Sequence, residues 1–295
     1  MQIRKENLRV PRWMLLVGLL GVLSCAAGSD RRGNSRARAK PTVQQLRAGM
    51  NFMKTQVYSE QEDAEILQLF EGLRVADVSD GMDKAGLANV GLMSPEIHAA
   101  WKDTKRFTHR FIGVAVTVRY VPTNKPPAHP METEKFDQWV GNWYSKLSSE
   151  PFVALIRKGT AVVFDDAPDS DVGSIGSNNI MSWRLRGCVG VVTNATARDT
   201  DEIAAEGVPL YFRKAGRGIR PGRNEVESVN RPIECGGVLV RPGDIIVADG
   251  DGVIVVPREK AREVAVYAGA TLQTDKGQRR NLYDQLGLTP DDSVK

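Results

Sequence analysis

Residues 173–207 read GSIGSNNIMSWRLRGCVGVVTNATARDTDEIAAEG, and the order of residue types in this stretch decides the fold. Gly176 makes a flexible turn, and Asn178 to Arg186 reads as a helix. The β-branched run Cys188 to Thr193 reads as a strand. A second helix from Thr200 to Ala205 and a strand from Val208 to Arg213 continue the rhythm. Alternating strands and helices of this kind predict an α/β domain.

Working outward, Ala64, Leu67, Phe70 and Leu73 recur every three residues and predict an amphipathic helix over 60–73. A second short helix starts at Val75, with Asp77 read as its cap. Ile112 to Val121 and Thr160 to Phe164 read as strands. So do Gly237 to Val240, Ile245 to Ala248 and Val253 to Val256, which are separated by Pro242-Gly243-Asp244 and Asp249-Gly250-Asp251-Gly252 turns. A last helix from Arg258 to Leu272 places Ala261, Val264, Ala265, Ala268 and Leu272 on one face. Residues 60–275 thus form one domain and 276–295 a polar tail. Pro122 to Pro151 is a long insertion carrying His129, Glu132, Glu134, Trp139, Trp143 and Tyr144. A loop of that length is a lid or a packing surface.

With 295 residues and 41% apolar content, the chain can bury a substantial core. Its net charge of +4 is concentrated at the start, where nine Lys or Arg side chains precede residue 41 against Glu6 and Asp30. The remaining body is slightly acidic, which argues against a nucleic-acid partner. Residues 1–25 read as an export signal: a basic segment from Arg4 to Arg12, an apolar stretch, then Val22-Leu23-Ser24-Cys25. That ending looks like a lipobox, in which Cys25 is acylated and anchors an exported periplasmic or cell-surface lipoprotein to its membrane. Cleavage near Ala26-Ala27 and an uncleaved anchor are the rivals. Residues 26–59 read as a tether and leading segment. Cys188 and Cys235 read as buried thiols, with a disulfide as the alternative in an exported protein.

Two features carry chemistry. The amides of Gly176, Ser177, Asn178 and Asn179 open a helix, where unpaired N–H groups attract anions. Arg198 and Asp199 follow a strand, and such a pair can clamp a carboxylate and hold a hard cation. The plain alternative makes Asp199 and Glu202 a capping box for the helix they open. Asp165, Asp166, Asp169, Asp249 and Asp251 read as turn residues.

The chain resembles the family of 4-hydroxy-4-methyl-2-oxoglutarate aldolases and regulators of ribonuclease E activity A. The matching residues are Gly176, Arg186-Gly187, Gly190-Val191-Val192 and Arg198-Asp199, with Val75 to Asp80, Gly207-Val208-Pro209 and Cys235 to Val253 around them. The resemblance covers about residues 60–270 and implies a three-layer β/β/α swivelling-domain-like fold, assembled as a homotrimer or homohexamer. It further implies a lyase that breaks a carbon–carbon bond of a pyruvate-derived oxo acid through an enolpyruvate. On that footing Asp199 holds a divalent metal, Mg²⁺ or alternatively Mn²⁺, and Arg198 is the catalytic contact to the carboxylate and developing enolate. Gly176, Ser177, Asn178 and Asn179 bind the substrate through their amides.

The chain departs from the family pattern at Ser177, where an acid is expected, at Asn178 and Asn179 in place of two leucines, and at Asn194 in place of Asp. Retro-aldol cleavage needs a general base, and the lost acid removes one, so decarboxylation is the expected surviving reaction. Asp171, His129 and Glu132 are the possible substitutes. A non-catalytic binding protein on the same scaffold is the alternative. Export would separate such a protein from any cytoplasmic ribonuclease.

Overall fold

The computed structural model describes residues 40–126, 129–167 and 170–295. Residues up to Met50 form a unit of their own, whose described part holds helix α1 (Val43–Arg47) with Thr42 as its cap. The unit from Asn51 onward carries everything that follows. The expected export signal, Cys25 and Asp169 lie outside the described residues. No helix among the described residues is long and apolar enough to cross a membrane.

The helices of this unit are α2 (Glu60–Phe70), α3 (Val75–Lys84), α4 (Thr133–Lys146), α5 (Ser177–Leu185), α6 (Thr200–Ala205) and α7 (Ala261–Leu286). The strands are β1 (His98–Ala99), β2 (Phe111–Pro122), β3 (Thr160–Asp165), β4 (Cys188–Thr193), β5 (Thr196–Ala197) and β6 (Leu210–Phe212). They continue with β7 (Lys214–Ala215), β8 (Asn224–Val229), β9 (Ile233–Cys235), β10 (Val238–Val240), β11 (Ile245–Asp249) and β12 (Gly252–Val256). The main sheet runs β1-β6-β4-β3-β2-β11-β12, with β8 also paired to β2. Its centre, β2-β3-β4-β6, is parallel, and its flanks are antiparallel.

Alternation along the strands separates two faces. Val114, Val116, Val118, Val162, Phe164, Val191, Val247 and Ile254 pack with helices α2, α3, α5, α6 and α7. The intervening residues Ala115, Ala161, Val163, Val192, Ile246 and Val255 face the β9–β10 hairpin through Ile233, Cys235, Val238 and Val240. Hairpin, sheet and helices are the three layers expected, in an α/β fold with a mixed sheet.

Several local expectations are corrected. Asp77 is not the cap of α3: it is the third helical residue, and its carboxylate accepts hydrogen bonds from the Arg74 backbone N–H and guanidinium at 2.5–2.9 Å. Helix α2 stops at Phe70, since Gly72 turns left-handed with φ +78°. Helix α7 runs on to Leu286, well past Leu272, so much of the stretch read as a polar tail is helix with a largely exposed surface. The insertion is not a loop throughout, because it contains α4. Cys188 and Cys235 are buried free thiols.

Helices α3 and α7 cross closely at Gly81. A Cβ there would lie 2.8 Å from the Val264 carbonyl oxygen and 3.0 Å from the Ala268 Cβ. Gly81→Ala is therefore expected to destabilise the fold by about 1–3 kcal/mol in urea unfolding, although alanine is the better helix former.

Candidate functional site

The parallel order of β3, β4 and β6 brings the loops after β3 and β4 together at the carboxyl ends of the strands. Ligand sites of α/β sheets form at such an edge. An isolated bridge joins Ile175 to Ala197, and the Arg198 N–H donates to the Ile175 carbonyl at 2.8 Å. The two segments then lie against each other with almost no spare room. A Cβ at Gly173 would come 2.6 Å from the Arg198 Cβ, and one at Gly176 would come 2.8 Å from Asp199 Oδ2. These glycines are required by the close approach of Arg198 and Asp199.

Asp199 occupies the position before α6 but does not cap it. Its φ of +56° is left-handed, and its side chain makes no hydrogen bond to α6. The carboxylate turns instead to the other helix, where Oδ2 accepts from the Ser177 N–H at 3.1 Å. The capping-box reading with Glu202 is thus overturned. A left-handed aspartate costs of order 1–3 kcal/mol, so the surrounding structure must enforce it. Arg198 Nε lies 3.7 Å from Asp199 Oδ1, and the two side chains are 38% and 36% exposed. The terminal nitrogens of Arg198 have no protein partner among the described residues. The first-turn amides of Asn178 and Asn179 have no carbonyl a full turn back to bond. A guanidinium, a carboxylate and two free amides therefore share one open shelf; of the amides read from the sequence, that of Ser177 is taken by Asp199.

Beneath the shelf lies a polar cluster that sequence reasoning read as turn residues or missed. Asp166 is 2% exposed and accepts hydrogen bonds from Ser174 Oγ, the Ala167 N–H and Asn224 Nδ2. Burial pushes its carboxyl above the ordinary aspartate value, and those donors oppose the shift. Asn194 locks the same corner. Its Oδ1 accepts from the Asp166 N–H at 2.9 Å, and its Nδ2 donates to Asp165 Oδ1 at 3.2 Å. An aspartate there would set a second buried carboxylate against Asp165. Asn194→Asp is expected to cost about 1–3 kcal/mol near neutral pH. The new acid would have a raised pKa in the folded state, so the loss should shrink on acidification, in urea titrations at several pH values.

Residues 75–255 match the RraA-like family, described as Aldolase/RraA, and this span holds both the Gly176 turn and the Arg198–Asp199 pair. The chain belongs to the RraA-like family. Among curated relatives, Protein DlpA of Legionella pneumophila is 26% identical over 201 residues, which is 68% of this chain but only 28% of DlpA. The 4-hydroxy-4-methyl-2-oxoglutarate aldolase of Thermus thermophilus is 29% identical over 114 residues, covering 35% of this chain and 67% of the relative. A solved structure of an uncharacterized protein from Pseudomonas syringae pv. tomato superposes with a TM-score of 0.58 at 24% identity, covering 82% of this chain and 95% of that one. That likeness concerns the fold.

In this RraA-like chain the side chain of Asn179 is already engaged, because its Nδ2 donates to Glu150 Oε1 at 2.7 Å. Its side-chain donor is committed there, so what Asn179 offers an anion is its backbone N–H. The insertion is fastened down as well: Trp143 Nε1 donates to the Asn224 carbonyl at 3.0 Å, and Trp139 sits over Gly222. These aromatics pack on the 220–224 loop, which favours packing over a lid. Of the possible bases, Asp171 is paired to Arg217 at 2.6 Å and held below the usual carboxylate range by that guanidinium. His129 and Glu132 are exposed.

Among the described residues, no three His, Cys, Asp or Glu side chains converge as a metal cage. Among the described residues of the shelf, Asp199 offers a carboxylate that is 36% exposed. Such a donor suits Mg²⁺, which keeps several waters and takes one or two carboxylates plus substrate oxygens. The residues present fit that kind of site. The 130 Å³ cavity beside Tyr58 and Arg157 and the 830 Å³ groove along α2 are lined by other residues.

Proposed function

We propose that this chain is a divalent-cation-dependent lyase acting on a pyruvate-derived 2-oxo acid, and that it decarboxylates an oxaloacetate-like substrate in preference to aldol cleavage. The observation that supports this reading most is the pair of tight glycine contacts at 173 and 176, which set Arg198 and Asp199 against the α5 turn.

The amides of Asn178 and Asn179 would take the carboxylate next to the oxo group, aided by the positive end of the helix. Arg198 would donate to the same carboxylate and to the 2-oxo oxygen. Asp199 would hold Mg²⁺, whose chemical contribution is Lewis-acid polarisation of the 2-oxo group. As the bond to the departing carboxylate breaks, its electron pair moves into the oxo acid and negative charge grows on the 2-oxo oxygen. The Arg198 guanidinium neutralises that charge, carbon dioxide leaves, and solvent protonates the carbon to give pyruvate. No base is needed. Aldol cleavage would require a proton to leave the substrate hydroxyl, and position 177 offers only a serine.

The two readings separate in one assay of pyruvate release from oxaloacetate and from 4-hydroxy-4-methyl-2-oxoglutarate, with and without Mg²⁺. Mg²⁺-dependent release from oxaloacetate, with little from the hydroxy acid, is the expected outcome. No release from either substrate, with or without the cation, would leave the alternative: a non-catalytic binding protein in which Asp199 merely caps α5. The bond from the Ser177 N–H to Asp199 is the observation that favours that second reading. The proposal extends to assembly as a homotrimer or homohexamer whose neighbouring copy closes the open shelf, and to export and anchoring through residues 1–25. Light scattering and membrane fractionation test these.

A further inference from the structure

We propose that Glu150 and Arg220 are positioning residues, an ion pair with a buried arginine and a partly buried carboxylate that fixes through Asn179 and Trp183 where the first turn of α5 stands. The inference rests on the reading of that turn as the carboxylate site. Arg220 has a side chain only 4% exposed, and Glu150 is 20% exposed. Arg220 donates to the Tyr120 hydroxyl at 2.7 Å, to the Ser148 carbonyl at 3.1 Å and to Glu150 Oε1. Its guanidinium also lies 5.2 Å from the Tyr120 ring centre and 5.4 Å from that of Tyr144. Burial works against this charge, but Tyr120, Glu150 and Tyr144 together more than restore it, so the arginine stays protonated.

Buried pairs of this kind add little to stability over an apolar replacement, but they fix geometry. Here the geometry concerns α5. Glu150 Oε1 accepts from Asn179 Nδ2 at 2.7 Å and Oε2 accepts from Trp183 Nε1 at 3.1 Å. Those residues are four apart, so one carboxylate spans two successive turns of the helix on its inner side. The helix needs such a brace. Its cap residue, Gly176, has no side chain to offer, and its opening residues Ser177, Asn178 and Asn179 are poor helix formers. Asp199 holds one end of the turn by the Ser177 amide while Glu150 holds the other by the Asn179 side chain. The insertion supplies the second hold, since Glu150 lies at its end.

Asn179→Ala removes the link while leaving the ion pair intact, and Glu150→Gln removes the charge. Each is expected to raise KM for oxaloacetate by about 10- to 100-fold, with kcat changed less. The double variant should be no worse than the worse single one, because both act through the same contact. Amide hydrogen exchange supplies a readout independent of turnover. Exchange at residues 177–180 should quicken in Asn179→Ala while that of β4 stays unchanged. Alanine favours helix, so propensity alone would act in the opposite direction. Unchanged KM together with unchanged exchange at 177–180 would overturn the inference. Should the unmodified protein turn over no oxo acid, the lyase reading fails, and the exchange measurement still decides whether Glu150 braces the turn.

Discussion

Asp199→Ala is expected to lower Mg²⁺-dependent pyruvate release from oxaloacetate by about 10²–10³-fold or more, the scale seen when a preorganised electrostatic contact at a reacting oxygen is lost. The carboxylate accepts from the Ser177 N–H beside the free amides of α5, and no cluster of three His, Cys, Asp or Glu side chains among the described residues offers another cation site. Alanine also removes a hydrogen bond to the Ser177 N–H, so a modest drop in Tm should accompany the loss. Asp199→Asn separates the two roles. Its amide oxygen still accepts from Ser177, while its neutral side chain is a far weaker Mg²⁺ ligand. We expect the asparagine variant to keep the Tm of the unmodified protein and to lose activity almost as fully as the alanine variant. An asparagine variant with unmodified turnover would reduce Asp199 to a helix cap.

The second large effect concerns stability. Asp63→Ala is expected to cost about 3–5 kcal/mol, because it leaves the buried Arg258 guanidinium and the partly exposed Arg157 guanidinium without a carboxylate to neutralise them. Asp63 is 7% exposed and lies between two guanidiniums: Arg157 at 2.5 Å from Oδ2 and Arg258 at 2.9 Å from Oδ1. Arg258 is itself 8% exposed and sits over the Tyr58 ring at 4.3 Å. One carboxylate thus ties α2 to the segment leading into β3 and to the one leading into α7. Urea unfolding measures the loss, and a change below about 1 kcal/mol would contradict this account of the junction.

The central strands and the Arg198–Asp199 shelf were legible because each rests on local pattern. Cys188–Thr193 and Thr200–Ala205 were read with their observed ends, since a β-branched run and the strand–helix rhythm that follows it need no distant partner to be recognised. The three layers followed from the resemblance, and the alternation of buried faces in β2, β3 and β4 shows why they form. Strand β8 was not legible. Asn224 to Val229 carries Glu225, Glu227 and Ser228, and it becomes a strand through pairing with β2, about a hundred residues earlier. Helix α4 was hidden for a similar reason: its aromatics look like loop anchors until the 220–224 segment is present to receive them.

The cluster of Asp166, Ser174, Asn224, Arg220 and Glu150 was illegible because its members are scattered and individually ordinary. The capping alternative for Asp199 stayed open because the pattern Asp199–Glu202 is present in sequence, whereas the left-handed backbone that turns the side chain away is not.

The most direct test of the central claim is calorimetric titration with oxalate, a planar dianion shaped like enolpyruvate, in the presence and absence of Mg²⁺. If Arg198, Asp199 and the α5 amides form one oxo-acid site, oxalate should bind with the cation present and bind negligibly without it. Oxalate binding that is absent in Mg²⁺, or equally strong without it, would contradict the account.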